Sequence, residues 1–383
     1  TLDSLPILPS AAGNAPKIKN YWIWSSFATK ALHEMGHTHV KTVHGCIESS
    51  HFYRLEDEKR LELRKNHNIE EDAFVVGFVF RNQLRKSVPN LLEGYAKWKK
   101  DNNPKKKTYL LLHTHWKEGW GIHKLAKEYD VPHDEILTTY VCKKCGKYQI
   151  KPYNGEDQNC PYCSGEKSQV TTGVGLGVRE NQLNEIYNLM DVYCHPFTSG
   201  GQEIPIQEAK LTELITLVTN YSCGEESCEE GSASIPLAWS EYREPQTEFI
   251  KASTCPISIA SSIDTVYNME AEEKRDMGKK ARQWALDNFS VEVIGKFFED
   301  FIDNAPDVDY DFEAADSSEG KKKNNPDAII PHIENDSDWI LTLYKEILAT
   351  DNHTNDDGYK NWMKQIEHKV PRSQIEDYFR KVA

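Results

Sequence analysis

Four cysteines in this chain are spaced as metal ligands. Cys142-Lys-Lys-Cys145 is followed, after 14 intervening residues, by Cys160-Pro-Tyr-Cys163. Two such knuckles place four thiolates on tight turns, from which they converge tetrahedrally on one zinc ion; with every position taken by protein, the site is closed and structural. A reactive dithiol is the lesser alternative. Gly146 and Gly165 follow the knuckles and permit the turns expected there. A second group is cationic: Arg81-Asn-Gln-Leu-Arg85-Lys86 directly follows an apolar run ending at Phe80. Outside the carboxyl end of a parallel strand and ahead of a helix, such cations grip a diphosphate, or else form a solvated basic turn. The third group is His195-Pro-Phe-Thr-Ser-Gly-Gly-Gln-Glu-Ile-Pro-Ile-Gln-Glu208. Gly200 and Gly201 allow close backbone approach of a ligand, and a helix N-terminus favours phosphate. Glu208 falls in the first helical turn, where a carboxylate also simply stabilises the helix.

Other patterns carry less. Gly173-Val-Gly175-Leu-Gly177 has the wrong spacing for a dinucleotide loop. His113, His115, His123 and His133 are scattered and read as ordinary surface or core histidines. Asp351, Asn355, Asp356 and Asp357 before Gly358 have the composition of a calcium loop without its closing glutamate, and read as a solvated turn.

The elements that must position these groups alternate. Residues 73–80 (Ala-Phe-Val-Val-Gly-Phe-Val-Phe) form a near-continuous apolar, β-rich run, as expected of a strand buried on both faces of a parallel sheet. Helical periodicity follows over 88–99, a second buried strand over 109–113 and a helix over 122–129. Beyond the cysteines come a strand near Val170, a helix over 181–189, a strand over 191–195 and a helix from about Ile206. Long amphipathic helices are expected over 270–289 and 291–303. Upstream, residues 1–16 read as an irregular lead-in, 25–35 as helix, 40–47 as a short strand and 56–67 as a charged helix. The class is α/β with a parallel sheet, interrupted by the cysteine region as an insertion over 138–168. Residues 304–336 turn acidic and read as a linker, with a basic interruption at Lys321–Lys323; residues 337–383 regain helical periodicity as a small separate module.

Composition narrows the function classes. The chain has 383 residues and a net charge of −14, which disfavours a generally basic nucleic-acid-coating surface. Lys143, Lys144, Lys147 and Lys151 give the cysteine region local positive charge, so nucleic acid stays a weakly supported partner. No apolar run approaches the ~20 residues of a membrane span. Nine cysteines, an odd count with five scattered, suit a reducing, cytoplasmic setting better than a disulfide framework. The chain begins at Thr1 with neither Met nor an apolar leader, as a processed or partial chain would.

Together these segments resemble the donor-binding, C-terminal half of retaining GT-B glycosyltransferases, glycosyltransferase family 4. Gly77 to Lys86 resembles its strand and G-R-x-x-x-x-K signature, with Arg81 and Lys86 at the matching separation; Val43-His-Gly45-Cys-Ile resembles its interdomain H-G-V-D turn, with Phe52 beyond. Leu183, Tyr187 and Asp191 match L-x-x-x-Y-x-x-x-D, and Pro196, Gly201, Pro205, Glu208 and Ala209 fall on the P-S-x-x-E-G-F-G-x-P-x-x-E-A motif. Lys280-Ala-Arg-Gln-Trp-Ala with Asn288-Phe-Ser resembles the closing helix pair. The match spans roughly residues 17–303 in the correct order.

The resemblance implies a Rossmann-like parallel sheet and transfer of a sugar from a nucleotide-diphosphate sugar to an unknown acceptor, with retention of configuration and no catalytic divalent metal. Arg81 and Lys86 would hold the diphosphate and stabilise the departing nucleotide, Glu208 would bind the ribose, and the backbone at Gly200, Gly201 and Gln202 would face sugar and phosphates. Two departures stand out. The family's first motif glutamate falls at Gly200, with Glu203 nearby but out of register as a possible substitute. Only about 16 residues precede the first matched helix, so the acceptor domain must come from a longer protein or a second chain. A catalytically silent scaffold or binding module is the alternative. Residues 339–383 resemble the helical domain of unknown function 4214, through W-I-L-T-L-Y-K-E-I-L, D-D-G-Y-K-N-W-M and R-S-Q-I-E-D-Y-F-R, and suggest docking without chemistry.

Overall fold

The computed structural model describes residues 2–305, 324–350 and 354–383. Twelve strands are present among them: β1 (Trp22–Ile23), β2 (Lys41–Thr42), β3 (Phe74–Val79), β4 (Thr108–His113), β5 (Ile136–Cys142), β6 (Tyr148–Pro152), β7 (Gln169–Thr171), β8 (Val192–His195), β9 (Ile215–Thr219), β10 (Ser234–Leu237), β11 (Trp239–Arg243) and β12 (Ile250–Thr254). The main sheet runs β10-β9-β8-β3-β4-β5-β6, and β7 also pairs with β5. From β10 to β5 every pairing is parallel, whereas β6 and β7 are antiparallel to β5. All six residues of β3 are buried, as its unbroken apolar sequence predicts for a central strand with helices on both faces. The chain builds outward from β3 through β4 to β5, then returns to β8 on the other side of β3. That reversal creates a crevice beyond the carboxyl ends of β3 and β8, where open parallel sheets bind ligands.

The helices expected from periodicity form, and Pro256–Asn268 adds one that was not expected. Ser26–Glu34 is capped by Ser25, whose hydroxyl accepts from the Ala28 amide at 3.3 Å, and Val88–Asn102 buries Leu91, Leu92, Tyr95 and Trp98 against the sheet. The Asp57–Asn66 helix is pinned by Arg64, which donates to the carbonyls of Glu71, Ala73 and Leu189 and pairs with Asp191 at 2.8 Å. Asp191 in turn accepts from the Val75 amide at 2.8 Å, tying the start of β8 to β3.

Three sequence expectations need correction. Residues 1–16 are not merely an irregular lead-in: Pro9–Asn14 is helical, and Ile7 and Ala15 pack with Ala31, Leu32 and Val40, because small apolar side chains fill that corner. Only Lys41–Thr42 of the 40–47 strand is laddered. Beyond it the backbone stays satisfied by single bonds, Val43 to Ile23 and Ile47 to Phe289, with Gly45 held by a side chain. The start of the 138–168 insertion is not a break in the sheet, since Thr138–Val141 belong to β5 and continue it.

Residues 305–383 form a compact unit of their own. Helices Asp336–Glu346, Asp357–Glu367 and Arg372–Val382 close over Trp339, Ile340, Leu343, Tyr359, Ile375 and Phe379. Ala328, in the stretch expected to be linker, is buried in that core. Most of the acidic run, with Lys321–Lys323, and Asp351 lie outside the described residues. No helix among the described residues is long and apolar enough to cross a membrane.

Candidate functional site

A cleft of about 390 Å³ opens at the carboxyl ends of β3 and β4, within the size range of small-molecule sites. Val79, Phe80 and Arg81 from the end of β3, His113 and His115 from the end of β4, and the 172–177 turn form one side. Leu183 and the Ile204–Leu211 helix, through Ile204, Pro205 and Glu208, form the other. Its wall is largely apolar, and few charged groups reach it. Glu208 accepts a 2.6 Å hydrogen bond from the buried Tyr187 hydroxyl. Burial pushes its carboxyl up to about 7, outweighing that bond. Arg81 stands at the opening, half exposed and 3.3 Å from Glu118. The loop carrying Glu118 is locked by Asn82, whose side chain donates to the carbonyls of Glu118 and Trp120 and accepts from the Trp120 amide at 3.0 Å.

Lys86 is elsewhere. It does not line the cleft but sits buried beside β8, paired with Glu203 and 3.4 Å from His195 Nε2. Glu203 is equally buried, also pairs with Arg85, and lies 3.1 Å from the same ring nitrogen. His195 Nδ1 is 2.9 Å from the Tyr193 hydroxyl. Burial opposes ionisation of Glu203, yet Lys86, His195 and Arg85 together hold its carboxyl well below the usual carboxylate range; burial pushes Lys86 down, and takes His195 to about 4 so that its ring is neutral. Lys86 therefore shares Glu203 with Arg85 and is not grouped with Arg81, although the latter has the motif spacing.

The glycine at 200 has a steric reason. A Cβ there would stand 2.5 Å from Glu203 Oε1, so Glu203 fills the space a longer side chain at 200 would need. Gly201 meets nothing within 4 Å and leaves that part of the loop open. Gln202 is committed: its amide accepts from the Gly45 amide at 2.7 Å and donates to the Gly45 carbonyl at 2.8 Å, clamping the 43–47 segment to this loop.

The four cysteines converge at the far end of β5. Their sulfurs all lie within 4.8 Å of one another, with Cys142–Cys163 at 3.7 Å and Cys145–Cys160 at 3.8 Å. A tetrahedral zinc with bonds of about 2.3 Å requires sulfurs about 3.8 Å apart, so the donor set fits that ion. The Lys144 and Cys145 amides donate to Cys142 Sγ at 3.3 and 3.4 Å. Gly146 takes the left-handed turn (φ +69°), but in the second knuckle Ser164 takes it (φ +54°). Gly165 instead leaves room for Ser168, whose hydroxyl would stand 2.7 Å from a Cβ.

The residues that sequence reasoning missed are those at the root of this arm. β4 and β7 share one side of β5, with Leu112 opposite Thr138 and Thr171 opposite Tyr140. The chain therefore returns from the cysteines in the lane of β4 and delivers Thr172, Gly173 and Val174 to the cleft. Gly173 and Gly177 of the run discounted as a dinucleotide loop form part of its wall. A strand signal near Val170 was visible, but not the lane it occupies.

No protein-family model and no curated protein matches this sequence. Solved structures do match in fold. A glycosyltransferase from Rickettsia africae superposes with a TM-score of 0.55 at 12% identity over 79% of this chain and 70% of that one. Anabaena Alr3699/HepE, in complex with UDP and glucose, gives 0.53 at 14% over 77% and 66%. Sucrose-phosphate synthase from Thermosynechococcus elongatus gives 0.53 at 13% over 78% and 63%. The chain thus spans between 63% and 70% of the length of these neighbours. At such identities the likeness establishes the fold: an α/β, Rossmann-like sheet of the GT-B kind, as the sequence resemblance implied.

Proposed function

We propose that this chain is the donor-binding part of a nucleotide-sugar-dependent glycosyltransferase. The observation that carries the reading is the cleft at the carboxyl ends of β3 and β4, facing the Ile204–Leu211 helix, with the half-buried Glu208 carboxylate on its wall and Arg81 at its opening. A carboxylate held among apolar groups is suited to accept from paired ribose hydroxyls, and a neighbouring cation to hold the diphosphate. As the bond from the sugar's anomeric carbon to the diphosphate oxygen breaks, negative charge gathers on that oxygen. Arg81 stabilises it directly, and Lys86 contributes through the field of its cluster. Retention at the anomeric carbon follows from the family the sequence resembles. The fold neighbour bound to UDP and glucose supports a donor of this class. The acceptor and its binding surface belong to a further domain or second chain in this reading.

We also assign a structural zinc to Cys142, Cys145, Cys160 and Cys163, on the match between the sulfur spacings and tetrahedral coordination. It would brace the arm and take no part in transfer.

A second reading is favoured by two observations. Lys86 is spent on Glu203, and Gly200 leaves no carboxylate at the family's position; both suit a binding module that holds nucleotide without turnover. A thermal-shift panel of nucleotide sugars and free nucleotides, with Arg81→Ala alongside, tests binding. A ligand at ~100 times its Kd stabilises by about 2.7 kcal/mol. A shift with one donor that is lost in Arg81→Ala supports the donor site; no shift with any nucleotide defeats it. A shift without hydrolysis of the donor, even with the acceptor half supplied, favours the binding module.

A further inference from the structure

The two carboxyl oxygens of Glu208 are in unlike situations. Oε2 accepts the 2.6 Å hydrogen bond from the Tyr187 hydroxyl, a length typical of an O–H donor on an ionised carboxylate. Oε1 has no hydrogen-bond partner among the described residues, yet it is not one of their buried unpaired atoms, so it stays open to solvent on the cleft wall. Tyr187 itself has little freedom to move. Its side chain is fully buried on the Glu180–Asn188 helix, with the Phe52 ring edge-on at 6.0 Å and the Tyr193 ring at 5.8 Å. The other acceptor near its hydroxyl, the Pro205 carbonyl, is 3.4 Å away and the weaker of the two. Burial also raises the phenol well above the ordinary tyrosine value, so the hydroxyl remains a donor through neutral and mildly alkaline pH.

No other group around Glu208 takes over this part. Glu180, on the helix of Tyr187, opposes its ionisation. Tyr193 of β8 directs its hydroxyl to the Val79 carbonyl at 3.1 Å and to His195 Nδ1 at 2.9 Å. His113 and His115 face it from the end of β4, and Arg81 stands at the opening beside Glu118.

We infer that Tyr187 is the positioning residue of the ligand-binding carboxylate: by holding Oε2 it fixes the rotamer of Glu208 and presents Oε1 alone to the ligand's hydroxyls. This rests on the proposed donor site and adds to it a residue that never touches the nucleotide. A hydrogen bond to the charged form favours ionisation, so the same contact opposes the burial that takes Glu208 to about 7. Tyr187 thereby sets both where the carboxylate points and the pH at which it becomes available.

Tyr187→Phe removes one oxygen and keeps the ring. UDP is titrated calorimetrically across neutral and mildly alkaline pH into wild type, Tyr187→Phe, Glu208→Gln and the double variant. The Glu208 carboxyl carbon, identified by its absence in Glu208→Gln, is followed by NMR in the ligand-free proteins over the same range. In Tyr187→Phe its midpoint is expected to move up by about one pH unit, as for one hydrogen bond to a charged group. The midpoint of UDP affinity should move with it. The loss of affinity should then approach about tenfold on the acid side and shrink as pH rises above both midpoints. In the Glu208→Gln background, where nothing titrates at 208, Tyr187→Phe should leave the pH profile of UDP binding unchanged. A loss of the same size at every pH marks a merely structural residue and overturns the inference, as does a carboxyl midpoint that stays in place. Tight UDP binding to wild type that is weakened in Glu208→Gln leaves the donor site standing in either case. If UDP does not bind the wild type, the donor site and the inference fall together.

Discussion

The cysteine arm and the charged groups around the cleft solve the same problem, assembling polar side chains in a fixed geometry, by opposite means. At the arm, ligands lie three residues apart within each knuckle, and local turns bring the sulfurs to 3.7 and 3.8 Å spacings. At the cleft, the working groups come from the ends of β3, β4 and β7 and from the Ile204–Leu211 helix. Their partners are set by the packing of the sheet rather than by spacing along the chain. Local geometry survives as a motif; non-local geometry is rearranged by whichever neighbour arrives. Lys86 illustrates this, since its motif spacing to Arg81 is intact while its ion pair is with Glu203.

The sharpest way to separate the two regions is to remove the metal. Chelation, or Cys160→Ser with Cys163→Ser, is expected to release one zinc per chain and abolish amide-exchange protection in β6 and β7. β3, β4, β8 and β9 should stay protected, because their ladders do not depend on the arm. Because β5 is shared, the adjoining residues of that strand should weaken too, and nucleotide affinity should fall with them. Loss of the entire cooperative transition would show that the arm and the sheet are one unit.

Lys86→Met breaks the other region. It leaves the buried Glu203 with Arg85 as its remaining cationic partner, a loss of up to the about 3–5 kcal/mol that breaking a buried pair costs, read from denaturant midpoints. Adding Glu203→Gln should recover part of that loss. Additive losses in the double variant would mean that the pair is not the unit proposed. A smaller effect is expected from Glu208→Ala, which should weaken nucleotide binding by about 1–3 kcal/mol, as for a charged hydrogen bond, without disturbing zinc content.

The subtlest expected signature is in pH. Glu208 holds its proton to about 7 in the fold against an ordinary 4.5. Between those values the native state binds more protons than the unfolded chain, so this group's contribution to stability declines as pH rises through that window. Glu208→Gln should flatten that slope. Nucleotide affinity should rise over the same range, since the ionised carboxylate is the better acceptor for ribose hydroxyls. A slope unchanged in Glu208→Gln assigns it to another group.

Much of the fold was legible. The apolar β3 run predicted a strand buried on both faces, and Phe74–Val79 is one. The Tyr187 and Glu208 positions, quoted from two separate motifs, meet at 2.6 Å. What escaped was set by long-range pairing. Thr172 and Gly173 have no signature as cleft residues, because the lane β7 takes beside β5 is what places them there. Gln202 was expected near the sugar, but its amide matches the backbone of Gly45, which lies 157 residues away in sequence. Gly200 read as a lost carboxylate, and only the position of Glu203 shows what fills that space.

The central claim is that a nucleotide occupies the cleft between the end of β3 and the Ile204–Leu211 helix, and a crystal structure with UDP or a UDP-sugar tests it most directly. The account predicts ribose hydroxyls on Glu208 and the diphosphate at Arg81. A nucleotide bound elsewhere, or an empty cleft at saturating nucleotide, would contradict it.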